Sequence, residues 1–176
     1  MSLRLLAISG SLRAVSTNTA LLKAAILLKP DNMEIELWQG LSTLPHFNPD
    51  DDVAPLPQAV ANWRTKVAAA DGLLISSPEY ARGIPGSLKN ALDWLVSGPE
   101  HPGKPIAFFH ASERSVASQA ALRLVLETMG TRIVDDACIT INLLGTEKDA
   151  ATVAANSAYA AKISGALNAF ASNIAR

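Results

Sequence analysis

The chain is poor in the features that mark several protein classes. It has one cysteine, Cys138, in 176 residues. No internal disulfide can form, which excludes a disulfide-stapled secreted scaffold and makes a cytoplasmic setting the default expectation. Aromatic residues make up only 5% of the chain. Neither sign of charge dominates, because 15 Lys and Arg against 16 Asp and Glu leave a net charge of −1. That balance gives no electrostatic case for nucleic acid or an anionic membrane surface. No uncharged apolar run reaches the roughly 18 residues that span a bilayer. Residues 1–10 superficially resemble a signal peptide, but their apolar segment is too short and reads as a first buried strand.

Several motifs are missing as well. There is no G-x-x-x-x-G-K-[ST] and no G-x-G-x-x-G, so neither a P-loop nor a dinucleotide fingerprint is present. No G-x-S-x-G elbow supports a serine hydrolase. His46, His101 and His110 lack ligand spacing to one another or to Cys138. Asp50, Asp51 and Asp52 lack the alternating spacing of a calcium loop, so no metal site is expected.

What the chain does have is alternation. Apolar residues reach 49%, enough for a substantial core in one domain over residues 1–176. Short apolar runs at 3–8, 34–37, 72–76, 105–110 and 133–141 read as strands. Helical patterns fall between and after them at 19–28, 58–70, 88–95, 116–129 and 150–171. The first helix has Asn18 or Thr17 as N-cap and Pro30 as its stop; Gly130 suits a C-terminal cap. Leu88, Ala91, Leu92 and Leu95 form one apolar face. Leu122, Val125, Leu126 and Met129 are expected to be buried, as are Val153, Tyr159, Ile163, Leu167 and Phe170. Trp63 and Trp94 are expected in the core or at a subunit interface, and Cys138 as a buried, inert thiol. Five strands with intervening helices give an α/β fold, a doubly wound parallel sheet with helices on both faces.

Two loops stand where strands run into helices, the place where open parallel sheets bind ligands. The first is Gly10-Ser11-Leu12-Arg13-Ala14-Val15-Ser16-Thr17-Asn18. Hydroxyls at Ser11, Ser16 and Thr17, the Asn18 amide, the Arg13 guanidinium and the helix N-terminus together suit a phosphate. An ordinary capped polar loop uses the same residue types. The second is Ser77-Pro78-Glu79-Tyr80-Ala81-Arg82-Gly83-Ile84-Pro85-Gly86. Its prolines stiffen a backbone able to present fixed N–H and C=O groups to a flat ring. Equally, Tyr80 can serve as a packed anchor and Glu79 as a solvated or cap-bonded acid. Of the histidines, only His110, at a strand end facing this region, merits attention.

Gly10-Ser11-Leu12-Arg13-x-x-Ser16-x-Asn18, followed by Pro78-Glu79-Tyr80-x-x-Gly83-x-Pro85-Gly86-x-Leu88-Lys89-Asn90-Ala91-x-Asp93-Trp94, resembles the NADPH-dependent FMN reductases of flavodoxin-like fold. Residues 44–50 resemble the loop after that family's second strand. The resemblance implies that Ser11, Arg13, Ser16, Thr17 and Asn18 hold the FMN phosphate. It implies that Pro78, Glu79, Tyr80, Ala81 and Gly83 border the isoalloxazine ring. Two positions depart from the family pattern. Ala81 stands where the family usually has Asn, and residues 111–117 contain no glycine where a Gly-rich turn usually meets the flavin.

The implied chemistry is a relay in which NADPH or NADH reduces FMN, and a quinone, flavin, chromate or azo acceptor reoxidises it. The flavin carries the reaction and no side chain is required as nucleophile or base. Arg82 is a candidate contact for the acceptor or a nucleotide phosphate. A homodimer or homotetramer is implied by the resemblance. The two departures motivate a competing reading, a flavodoxin-like binding or regulatory protein without redox activity. A third reading is an FMN electron carrier, disfavoured because carriers of this fold are usually strongly acidic.

Overall fold

The computed structural model of the chain describes residues 2–143 and 149–174. Its strands are β1 (Leu3–Ser9), β2 (Met33–Trp38), β3 (Gly72–Ser76), β4 (Pro105–His110), β5 (Arg132–Ile133) and β6 (Ile139–Thr140). Its helices are α1 (Thr17–Leu28), α2 (Gln58–Ala69), α3 (Gly86–Asp93), α4 (Val116–Thr128), α5 (Ala150–Ala155) and α6 (Ser157–Ile174). The strand order is β2-β1-β3-β4-β5, with β6 beside β4, and every pairing is parallel. This is the flavodoxin-like order, whose direction reverses between β1 and β3.

Alternation along β1 divides the core in two. Leu5 and Ala7 join Leu21, Ala25, Ile163 and Phe170 on the face covered by α1, α5 and α6. Leu6 and Ile8 join Val60, Trp63, Leu88, Leu92 and Leu126 on the face covered by α2, α3 and α4. A period of two on a strand buried on both sides requires apolar residues at every position, as residues 5–8 supply.

The interior tryptophans carry satisfied polar tips. Trp63 and Trp94 are fully buried, which settles their role as core. Trp63 Nε1 donates to the Ala91 carbonyl at 2.8 Å, and its ring stacks on Trp38 with centroids 4.0 Å apart. Trp94 Nε1 donates to the Pro45 carbonyl at 2.8 Å.

Several expectations need correction. The strand expected over 133–141 is broken by a 3₁₀ turn at Asp135–Ala137. Two adjacent aspartates cannot lie in a buried strand without desolvating unpaired charge. The turn leaves both exposed, and Asp135 pairs with Arg123 at 2.5 Å. Chain on either side still pairs with β4: Val134 N donates to Ile106 O at 2.9 Å and Ile141 N to His110 O at 2.8 Å. Between them, Phe108 N–H finds the Cys138 thiol sulfur at 3.3 Å instead of a strand carbonyl. The thiol, expected to be buried, is only half-buried, and its sulfur is a hydrogen-bond acceptor that repairs the interrupted ladder.

The helix expected over 150–171 is two helices, with Asn156 between α5 and α6. Asn156 Oδ1 accepts from Ala158 N and Tyr159 N, each at 3.1 Å, and starts α6 afresh. Finally, α1 begins at Thr17 with Ser16 as N-cap, its Oγ accepting from Thr19 N at 3.4 Å. Asn18 is unavailable for capping because its side chain is engaged elsewhere. In α4, Leu122 and Leu126 are buried while Val125 and Met129 are only partly so. Tyr159 in α6 is likewise only partly buried.

Candidate functional site

The carboxyl ends of β1 and β3 lie side by side, with Ser9 opposite Ser76. Both elaborate loops therefore leave the sheet together, at its topological switch point. Gly10 N donates to Ser76 O at 2.8 Å. A Cβ on Gly10 would stand 2.8 Å from Ser77 Oγ and 3.1 Å from a Leu88 methyl. Glycine is required at position 10 because the two loops touch there.

The first loop is held by its own hydroxyls. Ser9 Oγ and Thr19 Oγ1 are 2.8 Å apart. Ser9 Oγ accepts from Ser11 N and Ser11 Oγ accepts from Arg13 N, both at 3.3 Å. Ser16, buried, is spent on the cap. The buried Asn18 Oδ1 accepts from Ser76 Oγ at 2.9 Å and ties α1 to β3. Its Nδ2 and the Thr17 hydroxyl are the donors left at the helix start. Arg13 is exposed, and no acidic residue occurs from Ser9 to Lys29. First-turn N–H groups, hydroxyls and one guanidinium with no carboxylate among them form a donor set suited to a phosphate dianion. The residues present therefore fit the phosphate end of FMN.

The second loop ends in a tight turn. Tyr80 N donates to Gly83 O at 3.2 Å and Gly83 N to Tyr80 O at 2.9 Å. Between them, Ala81 and Arg82 have φ of 49° and 59°. Two consecutive left-handed residues define the type I′ geometry, normally filled by Asn-Gly. The Ala81 substitution noted in the sequence therefore costs backbone strain as well as a side-chain amide. Tyr80 projects outward, 49% exposed.

Glu79 is the cap-bonded acid that the sequence allowed. Its Oε2 accepts from Ser118 N at 2.9 Å, and Ser118 Oγ donates back to Pro78 O at 3.2 Å. Ser118 lies in the first turn of α4, so Glu79 caps that helix from another loop. The glycine-free turn 111–115 needs no glycine for its backbone. Among the described residues, positive φ at non-glycine positions is confined to Ala81 and Arg82. Ser112 Oγ accepts from Arg114 N at 3.0 Å, and Gln119 Nε2 donates to Ser112 O at 3.2 Å.

Between these segments lies a recess. Thr17 and Asn18 form one wall, Pro78 and Glu79 a second, and Ala111, Ser112, Arg114 and Ser115 a third. Across the first loop lies another recess, lined by Ser11, Arg13, Thr19, Lys23, Trp38 and Ser42 among others. The structure thus brings Thr17, Asn18, Pro78 and Glu79 together and sets Ser11 and Arg13 on the adjoining side. Tyr80, Ala81 and Gly83 form the turn at the rim and line neither recess. Sequence reasoning did not single out Ser112, Arg114, Ser115 or Ser118. The only signal was the departure from glycine across 111–117.

His110 lines neither recess. It is 9% exposed with Nδ1 unpartnered, and it stacks on Phe108 at 5.4 Å. Burial, with help from the nearby Arg123 charge, lowers its pKa to about 4. Burial pushes the Cys138 thiol up, which suits an inert thiol and not a nucleophile. Of the three aspartates, Asp52 pairs with Arg64 at 2.8 Å.

A sheet of this order with polar loops meeting at its switch point belongs to the flavodoxin-like class. The chain matches the NADPH-dependent FMN reductase family over residues 3–143 and belongs to it. It is 46% identical over 112 residues to an NAD(P)H-dependent FMN reductase of Pseudomonas aeruginosa, covering 62% of this chain and 60% of that one. It is 42% identical over 101 residues to an NADPH:quinone oxidoreductase of Arabidopsis thaliana, covering 55% and 51%. The matched stretch therefore spans between half and three-fifths of these relatives' lengths. Among solved structures, the flavoenzyme FerB, an NAD(P)H:(acceptor) oxidoreductase from Paracoccus denitrificans, superposes with a TM-score of 0.66 at 28% identity. That superposition covers 97% of this chain and 90% of that one. Among the described residues, no helix is long and apolar enough to cross a membrane.

Proposed function

We propose that residues 1–176 act as one domain, an FMN-dependent NAD(P)H oxidoreductase whose acceptor is a quinone. The carrying observation is the convergence of Thr17 and Asn18 with Pro78 and Glu79 around one recess at the switch point, in a chain of this family. In this reading Ser11, Arg13, Ser16, Thr17 and Asn18 hold the FMN phosphate. Arg13 gives a charge-assisted fork, while Ser16 and Asn18 act mainly by fixing the start of α1. Pro78, Glu79, Tyr80, Ala81 and Gly83 border the ring, with Glu79 locking their loop to α4.

The bound group supplies a hydride relay: NAD(P)H leaves as NAD(P)⁺, and the quinone then takes up the hydride with a proton from solvent. The protein contributes position and field. Quinone is favoured because relatives so named are among the most similar. A homodimer or homotetramer is part of the proposal.

FMN titration of the apoprotein, read by fluorescence quenching, tests the reading. One-to-one binding is expected, weakened about tenfold or more by Arg13→Ala, as for loss of one charge-assisted contact. A folded protein that binds no FMN favours the non-redox alternative. Bound FMN that NADPH cannot reduce favours the carrier.

A further inference from the structure

The turn that carries no glycine carries a cation instead. Arg114 lines the recess together with Pro78 and Glu79. Among the described residues, its guanidinium has no hydrogen bond or ion pair, whereas those of Arg64 and Arg123 are both paired with aspartate. The turn fixes its backbone, since Arg114 N is held by Ser112 Oγ at 3.0 Å. Among the described residues, Glu79 is the sole carboxylate lining the recess, and its Oε2 is already committed to Ser118 N. Among the described residues, the recess therefore holds one guanidinium without a protein partner and one carboxylate hydrogen-bonded to a helix N–H.

Arg114 shares its recess with Pro78 and Glu79 of the ring loop and with Thr17 and Asn18 at the start of α1, across the first loop from Ser11 and Arg13. A flavin that accepts a hydride without a proton gains one negative charge, balanced by the positive charge on the departing NAD(P)⁺. We propose that Arg114 is a positioning charge for that added electron density, so that the protein binds reduced FMN more tightly, relative to oxidised FMN, than it would without it. This rests on the FMN reading above and goes beyond it by naming the residue that sets the balance between the two forms. An exposed cation is screened, so the effect is about tenfold and not thousands.

The test compares the parent protein with Arg114→Gln and Arg114→Lys. Oxidised FMN affinity is measured by titration, and the midpoint potential of the bound FMN by anaerobic equilibration with a reference dye. The expected result is that Arg114→Gln weakens reduced FMN binding more than it weakens oxidised FMN binding. The Arg114→Gln midpoint should be lower by a tenfold preference, about 30 mV for a two-electron couple. Arg114→Lys should recover most of that difference, and added salt should shrink it.

Equal midpoints in all three proteins would overturn the inference and leave the FMN reading standing. Loss of oxidised FMN affinity at an unchanged midpoint would make Arg114 a phosphate ligand, which also overturns it. A parent protein that binds no FMN would overturn both.

Discussion

Glu79 and Ser118, 39 residues apart, close a two-bond clasp: carboxylate to backbone N–H at 2.9 Å, and hydroxyl to the Pro78 carbonyl at 3.2 Å. Ser118 is 1% exposed, so the clasp is sheltered at the foot of α4. Glu79→Ala removes the cap and is expected to cost about 1 kcal/mol. For a chain of this size that corresponds to a melting temperature lower by about 2–4 °C. FMN affinity should fall with it, because the ring loop and the 111–115 turn lose their tie. A melt indistinguishable from the parent's would show that the clasp contributes nothing.

The Ala81–Arg82 turn gives a prediction of opposite sign. An L-residue in the left-handed region costs roughly 1–2 kcal/mol, and glycine avoids most of it. Ala81→Gly is expected to stabilise the fold by about 1 kcal/mol, and Ala81→Asn by a smaller amount. Chemical denaturation with an unchanged m-value reads this directly. A destabilised Ala81→Gly protein would mean that the turn is not strained.

His110 makes stability depend on pH. Its folded pKa of about 4 lies below the ordinary 6.5, so the unfolded chain binds the proton first as pH falls. Stability from this group is complete above pH 6.5, declines as pH drops towards 4 and then levels off. The loss across that window is about 3 kcal/mol. His110→Phe keeps a ring against Phe108 and removes the titration. Urea midpoints at pH 7, 5 and 4 should therefore fall less steeply in the variant, and parallel curves would refute the assignment.

Asn90 clamps the loop after β2. Its Oδ1 accepts from Phe47 N at 2.7 Å, and its Nδ2 donates to Pro45 O at 2.9 Å. Asn90→Ala is expected to cost about 1–3 kcal/mol, since Phe47 N loses its acceptor while Pro45 O keeps Trp94 Nε1. Proteolysis within residues 44–57 should accelerate. Unchanged cleavage there would show that Trp94 and the Phe47–Trp94 edge contact hold the loop unaided.

Cys138 is expected to resist iodoacetamide in the native protein at pH 8, because burial raises its pKa. It should react at the ordinary rate once unfolded. Mass spectrometry after a timed pulse distinguishes the two.

The sequence by itself determined the succession of strands and helices, because runs of four to eight apolar residues and a 3.6-residue period are local signals. It also showed the two loops, their position at strand ends and the family pattern spread across them. Leu88, Ala91, Leu92 and Leu95 are buried as their spacing requires. Only the tertiary structure decided what each polar residue in those loops does. Asn18 answers Ser76, Glu79 answers Ser118 and Asn90 answers Phe47, all partners distant in the chain and invisible to any local window. Glu79 and Asn90 of the second motif therefore serve to fasten loops together. The break in the last strand arose likewise, from where Asp135 could meet Arg123 and Phe108 N–H could meet sulfur. Periodicity is written along the chain, whereas hydrogen-bond satisfaction is settled only when distant segments are brought together.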